Sequence, residues 1–98
     1  MNQKFEPTIT VVFIPIRPTA KGCIGFANLT YGNDLALNGV AVYTKPNGDG
    51  FRLVYPINKN IPNETFYFCP LNREFGDFLT AAVSKKVLLT RGEIYEEI

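Results

Sequence analysis

The sequence predicts an α+β fold, an antiparallel β-sheet of about five strands in a meander with one C-terminal amphipathic helix packed on one face. Between residues 8 and 71, short runs of β-branched and aromatic residues alternate with turns rich in Gly, Pro, Asn and Asp. Residues 72–91 instead have apolar side chains at helical spacing. Because 98 residues are one domain's worth of chain, we expect residues 1–98 to form a single domain, with residues 92–98 as an acidic tail.

The first two predicted strands are residues 8–16 and 23–31. The first, TITVVFIPI, is rich in β-branched residues. Pro15 has no N–H to donate to a ladder, so this strand is expected at a sheet edge. In the second strand alternate residues share one face, namely Cys23, Gly25, Ala27, Leu29 and Tyr31.

The next predicted strands are residues 35–44 and 51–55. Gly39 inside the first of these predicts a β-bulge or a close backbone approach. Residues 45–50 carry Asn-Gly and Asp-Gly in succession, which is the strongest hairpin signal in the chain. Residues 56–64 are predicted as a polar loop and residues 65–69 as a short fifth strand.

The predicted helix has both end signals. Asn72 is a candidate N-cap and Glu74 lies in the first turn, where the helix dipole favours an anion. Gly92 is a natural residue to follow the C-terminus. The stripe expected to face the sheet consists of Phe75, Phe78, Leu79, Ala82, Val83 and, at its margin, Lys86. Since one helix covers one sheet face, we expect the other face to be hydrated or to meet a partner, and predict a homodimer.

Composition favours a binding protein over an enzyme. The net charge is +1 and there is no histidine, which removes the commonest general base and the commonest metal ligand. No carboxylate pair, phosphate-binding loop or metal-ligand spacing stands out. Residues 47–50 look superficially like a calcium loop but lack the acidic ligands that should follow. We therefore predict a non-enzymatic protein without metal or cofactor.

The charge is unevenly distributed along the chain. Three of the nine acidic residues lie in the last six positions, whereas residues 8–92 contain nine basic and five acidic residues. A mildly basic body with an acidic end fits weak nucleic-acid contact, and it also fits an ordinary soluble domain.

The two cysteines are 46 positions apart, at Cys23 and Cys69. The start of the chain has neither the pattern of a signal peptide nor a stretch long enough to span a bilayer. We expect a cytoplasmic protein with no membrane contact, in which both cysteines are small buried hydrophobes, and a disulfide remains open.

Five segments, in order, carry a family resemblance. Residues 24–30 (IGFANLT), 37–42 (LNGVAV) and 47–53 (NGDGFRL) look like two strands and a Gly-rich hairpin. Residues 58–64 (NKNIPNE) are similar to a Lys-Arg-x-Pro-Asp-Gly-Glu loop, and residues 68–72 (FCPLN) to a His-Pro-Ile-Asn step with Cys69 in place of the histidine. Together these segments resemble the SpoVG family of bacterial septation and stage V sporulation proteins, over about four fifths of the chain.

The resemblance implies a homodimeric regulator that binds DNA or RNA and influences septation, cell division, sporulation or gene expression. Of the basic residues in the family's loop and at its helix start, this chain has Lys59 and Arg73. The alternative is a protein-interaction module of the same fold, without nucleic-acid binding, that acts through its uncovered sheet face.

The candidate nucleic-acid-binding residues are Lys59, Arg73, Lys85, Lys86 and Arg52. Lys59 and Arg73 flank the last predicted strand and suit phosphate contact, or are plain surface charges. Lys85 and Lys86, with Arg91, form a second basic cluster. Alternatively, these cations only interact favourably with the negative C-terminal end of the helix dipole.

Arg52 could join Phe51 and Tyr55 in a surface that stacks unpaired bases. Aromatic side chains on strands can equally be core or dimer contacts.

Overall fold

The computed structural model describes residues 8–63 and 65–90 of the chain. It confirms the predicted α+β fold. Four strands form an antiparallel sheet in the order β1-β2-β3-β4, a second sheet has two short strands, and one helix follows. The bounds are β1 Ile9–Pro15, β2 Cys23–Tyr31, β3 Leu35–Thr44, β4 Phe51–Val54, β5 Ile57–Asn58, β6 Thr65–Phe66 and α1 Arg73–Thr90. β1 is an edge strand, as Pro15 predicts.

The predicted fifth strand is the main departure from the expected meander. Only Thr65–Phe66 is a strand, and it pairs outside the main sheet with Ile57–Asn58, inside the segment predicted as a loop. Pro56 has no N–H with which to continue the β4 ladder, and the chain turns back so that Tyr67 N–H donates to the Pro56 carbonyl (3.0 Å).

The core lies between α1 and one face of the main sheet. Leu79, Val83 and Val87 are the buried residues of the helix, spaced four apart. The buried sheet residues packed with Val83 and Val87 are Val11, Phe13, Ala27, Leu29, Val40, Val42 and Phe51. Burying these apolar side chains is the main stabilising contribution to the fold.

The predicted apolar stripe of the helix is confirmed at Leu79 and Val83, which are buried, and is wrong at Phe78, which is exposed. That side chain stacks on Phe75 with ring centroids 5.9 Å apart, yet 47% of it is exposed. Phe78 precedes Leu79 by one residue and so lies about 100° around the helix from the buried line. Val87, which the predicted stripe omitted, is fully buried instead.

The N-terminal end of α1 agrees with the prediction. Asn72 is the N-cap, since its Oδ1 accepts a hydrogen bond from the Phe75 N–H (2.8 Å). The last described turn of α1 contains no basic residue, and Lys85 and Lys86 precede it. Arg91, Gly92 and the predicted acidic tail, residues 92–98, lie outside the described residues.

The turns follow their predicted chemistry. In the β3–β4 hairpin the Asn47 Oδ1 accepts from the Asp49 N–H (2.9 Å), and Gly48 and Gly50 have φ of 77° and 104°. Gly39 lies in a bulge of β3, with φ 84°. The predicted hairpin turn and the predicted bulge are both confirmed.

The two cysteines are free and differ in environment. Cys23 is buried, as predicted, whereas Cys69 is exposed, because it follows the short second sheet rather than lying within a strand of the core. Among the described residues, no helix is both apolar and long enough to cross a membrane.

Candidate nucleic-acid interface

The face of the main sheet opposite α1 is open, and an apolar row crosses it. Strand register places Ile14 beside Phe26, Phe26 beside Ala41 and Ala41 beside Val54, one residue from each strand. Ile14 and Phe26 are 45% and 38% exposed, and Val12, next along β1 on this face, is 53% exposed. These side chains form a contiguous apolar surface on the open face.

Arg52 lies on this open face, beside the apolar row. Its neighbour Phe51 is buried in the core, so the alternation of the strand points Arg52 away from α1. The register pairs Arg52 with Tyr43, and the guanidinium carbon lies 4.7 Å from the centre of the Tyr43 ring. This is a cation–π contact.

Phe26 extends the same patch. It lies opposite Ala41, and Tyr43 is two residues further along β3, so the two rings are diagonal neighbours on one face. We call Phe26, Tyr43 and Arg52 the Arg52 patch. It offers two aromatic rings and one planar cation on a rigid sheet.

The predicted aromatic neighbours of Arg52 were the wrong ones. Phe51 is in the core, and Tyr55 is half-buried with its ring edge-on to Phe68, centroids 6.1 Å apart. Tyr43 was missed because it is nine positions from Arg52. The length of the hairpin turn was the available signal, since pairing Thr44 with Phe51 fixes Tyr43 opposite Arg52.

Lys85 and Lys86 lie on the other side of the molecule. They line a groove of about 300 Å³ between the C-terminal half of α1 and the start of β1. Lys85 is exposed and Lys86 half-buried. Because α1 covers the opposite sheet face, these lysines do not join Arg52 in one basic patch.

Lys59 and Arg73 are both exposed. Lys59 directly follows β5, and Arg73 is the first residue of α1. The five candidate residues are thus divided among the open face, the helix-side groove, the turn after β5 and the first turn of α1.

The groups identified on the open face are aromatic, apolar and cationic. Within the described residues, no group of three His, Cys, Asp or Glu side chains is placed to hold a metal. Tyr55 has its pKa raised from 10.0, by burial first and then by the charge of Cys69, but it is not part of the Arg52 patch. The patch supplies stacking surface, one fixed positive charge and an apolar border.

No protein-family model matches this chain, and comparison with curated proteins and with solved structures yields no match. The resemblance to the SpoVG family therefore stays a prediction.

Proposed function

We propose that this chain is a non-enzymatic regulatory protein that binds single-stranded DNA or RNA on the open face of its main sheet. The observation that carries the proposal is the Arg52 guanidinium carbon 4.7 Å from the centre of the Tyr43 ring, with Phe26 diagonally adjacent on the same face. Aromatic rings on a sheet stack unpaired bases, and an adjacent arginine stacks or contacts phosphate.

The charge distribution supports single strands over duplex. Stacking contributes about 1–3 kcal/mol per base and needs unpaired bases. One arginine on the open face neutralises about one phosphate and releases few counterions. The slope of log K against the logarithm of the salt concentration should therefore be about −0.7 for a single strand. The resemblance to the SpoVG family supports a regulatory role in septation, sporulation or gene expression.

Fluorescence anisotropy tests this with labelled single-stranded DNA, duplex DNA and RNA at low and near-physiological salt. Arg52→Gln and Tyr43→Leu should each weaken single-strand binding about tenfold, equal to about 1.4 kcal/mol. Arg17→Gln is the matched control, because Arg17 is an exposed arginine outside the patch.

A Lys59→Ala/Arg73→Ala double variant separates the remaining candidates. If it abolishes binding while Arg52→Gln does not, the nucleic-acid surface includes Lys59 or Arg73 and the open-face site is wrong. Absence of any binding at low salt contradicts the function itself.

A second candidate, a protein-interaction module, is favoured by the apolar row Ile14, Phe26, Ala41 and Val54. The occupant it best fits is a second copy of the chain, which would form a two-fold homodimer by packing face to face. Added salt should not weaken such a dimer, since the row has no charge and salt screens repulsion between the two Arg52 side chains.

Sedimentation velocity at micromolar concentration distinguishes the two functions. A dimer that Ile14→Thr dissociates, and Leu35→Thr does not, supports the second candidate. Leu35 is a suitable control because it is an exposed leucine at the start of β3, outside the row. Oligonucleotide binding by a chain whose oligomeric state Ile14→Thr leaves unchanged supports the first, because the open face is then not the dimer interface.

A further inference from the structure

The outer edge of β1 presents backbone groups that pair with no other strand in the described part of the chain. At the two ends of β1, Thr8 O accepts from Gly32 N–H (2.7 Å) and Ile16 N–H donates to Ile24 O (3.1 Å). Even-numbered residues therefore bond to β2, and the odd-numbered residues Ile9, Val11 and Phe13 point their N–H and C=O groups outward. No other described strand pairs with this edge.

A groove runs beside that edge on the helix side. Its apolar lining comes from Ile9 and Val11 of β1 and from Ala82 and Leu89 of α1. Lys85 and Lys86 add two positive charges to the same lining, and among the described residues no acidic side chain lines it. The groove thus combines a hydrogen-bonding edge, an apolar surface and unbalanced positive charge.

We propose that the groove between β1 and α1 binds an extended acidic peptide of a partner protein, which adds to β1 as a fifth strand of the main sheet. The outward groups of Ile9, Val11 and Phe13 pair with the peptide backbone. Every second peptide side chain faces α1, where carboxylates meet Lys85 and Lys86 and apolar side chains meet Ala82 and Leu89.

Charge favours this occupant over a second copy of the chain. Two copies paired antiparallel through β1 would be related by a two-fold axis perpendicular to the sheet, with both helices on the same face. That arrangement turns the Lys85 and Lys86 flanks of the two copies toward each other, and like charges repel. An acidic peptide neutralises the same lysines.

The lining also favours peptide over nucleic acid. Among the described residues, no aromatic side chain on which a base could stack lines the groove. An unpaired strand edge, in contrast, matches the alternating donors and acceptors of an extended peptide.

The probe is a fluorescein-labelled octapeptide, Thr-Glu-Thr-Leu-Thr-Glu-Thr-Leu, with a control in which lysine replaces both glutamates. We expect the acidic peptide to bind the full chain and the lysine peptide to bind at least tenfold more weakly. A Lys85→Gln/Lys86→Gln variant should bind the acidic peptide about five- to tenfold more weakly, whereas Lys45→Gln, an exposed lysine in the β3–β4 turn, should not change binding.

Two N-methylated peptides test strand addition. One is methylated at every glutamate and leucine, the other at every threonine. Since only alternate N–H groups of an added strand face β1, one of the two should lose binding and the other should keep it. Loss in both or in neither contradicts backbone pairing.

Three other results would overturn the proposal. Equal binding of acidic and lysine peptides excludes charge recognition. Loss of oligonucleotide binding but not of peptide binding in the double lysine variant assigns these lysines to nucleic acid. Peptide binding that appears only after residues 91–98 are removed makes the chain's own acidic segment the occupant.

Discussion

The backbone N–H of Gly39 donates a hydrogen bond to the Oδ1 atom of Asn28, 2.9 Å away. Between Ala27 and Leu29 on β2, the register skips from Val40 to Leu37 on β3, which leaves one extra residue in β3. Because of this bulge, Leu37 and Val40 both face the core although they are three positions apart. The bulge therefore sets which face Tyr43 occupies, and the Arg52 patch depends on it.

Asn28→Ala should lower the free energy of unfolding by about 1 kcal/mol, because the Gly39 N–H loses its side-chain acceptor. Urea denaturation measures the loss. Asn38→Ala is the matched control, since Asn38 is an exposed asparagine in the same bulge, and it should change the stability by less than about 0.5 kcal/mol. Equal effects of the two substitutions would show that the hydrogen bond does not stabilise the bulge.

Gly25→Ala and Gly76→Ala should change stability in opposite directions. A Cβ atom at Gly25 would collide with the carbonyl oxygen of Ile14 and lie 2.7 Å from Cε1 of Phe13. Backbone and a buried ring cannot both move aside, so we expect a loss of about 2–3 kcal/mol. At Gly76 the nearest atom, Cγ of Pro70, is 3.5 Å away, and alanine should stabilise the helix by about 0.5–1 kcal/mol.

Thermal unfolding of these two variants gives the check. A higher melting temperature for Gly25→Ala would mean that the Phe13 ring does not pack against this glycine. A lower one for Gly76→Ala would mean that the first turn of α1 is not regular helix.

The cap of α1 gives a third prediction. Asn72→Ala removes the acceptor for the Phe75 N–H and should destabilise the protein by about 1 kcal/mol. Asn72→Asp keeps an acceptor and adds a negative charge at the helix N-terminus, so it should match or exceed the natural stability. Urea denaturation at pH 7 compares them. If aspartate destabilises as much as alanine, the cap does not contribute through this hydrogen bond.

Local signals predicted most elements of the fold from sequence. β2 and β3 have the predicted bounds, and the bulge at Gly39 and the cap at Asn72 are as expected. These features depend on neighbouring residues, through periodicity, turn chemistry and capping. The prediction for the fifth strand was wrong because alternating side chains indicate an extended segment but not the strand with which it pairs.

The candidate site was less accessible to sequence reasoning, for a related reason. Basic residues can be recognised one at a time, but the surface that each occupies depends on register and helix orientation. The apolar row and the contact of Tyr43 with Arg52 are relationships between strands. Lys85 lines one groove with Ile9 and Val11 of β1, more than seventy positions earlier in the chain, because of how α1 packs, and no local pattern encodes that.

Tyr55 has a buried polar atom without a hydrogen-bond partner among the described residues, and the remaining predictions concern it. Its hydroxyl oxygen is buried and has no hydrogen-bond partner among the described residues, although its ring packs edge-on to Phe68. Tyr55→Phe keeps the ring and removes the desolvated hydroxyl, so it should stabilise the protein by up to about 1 kcal/mol at neutral pH. Destabilisation by phenylalanine would mean that the hydroxyl is hydrogen-bonded, for instance to water.

The same hydroxyl makes stability depend on pH in the alkaline range. Burial, and secondly the charge of Cys69, raise the pKa of Tyr55 above its ordinary value of 10.0. In the unfolded chain the phenol ionises near pH 10, whereas the folded protein holds the proton to higher pH. The unfolded state is therefore favoured increasingly as pH rises from about 10 through the raised pKa.

Urea denaturation at pH 8, 10 and 11 isolates this effect as the difference in stability between the natural chain and Tyr55→Phe. The difference should be constant below pH 10 and widen in favour of phenylalanine above it, since other groups titrate equally in both proteins. In a Cys69→Ser background the widening should be smaller, because the second cause of the raised pKa is gone. A difference that stays constant to pH 11 in every background would mean that the phenol ionises as easily in the folded protein as in the unfolded chain.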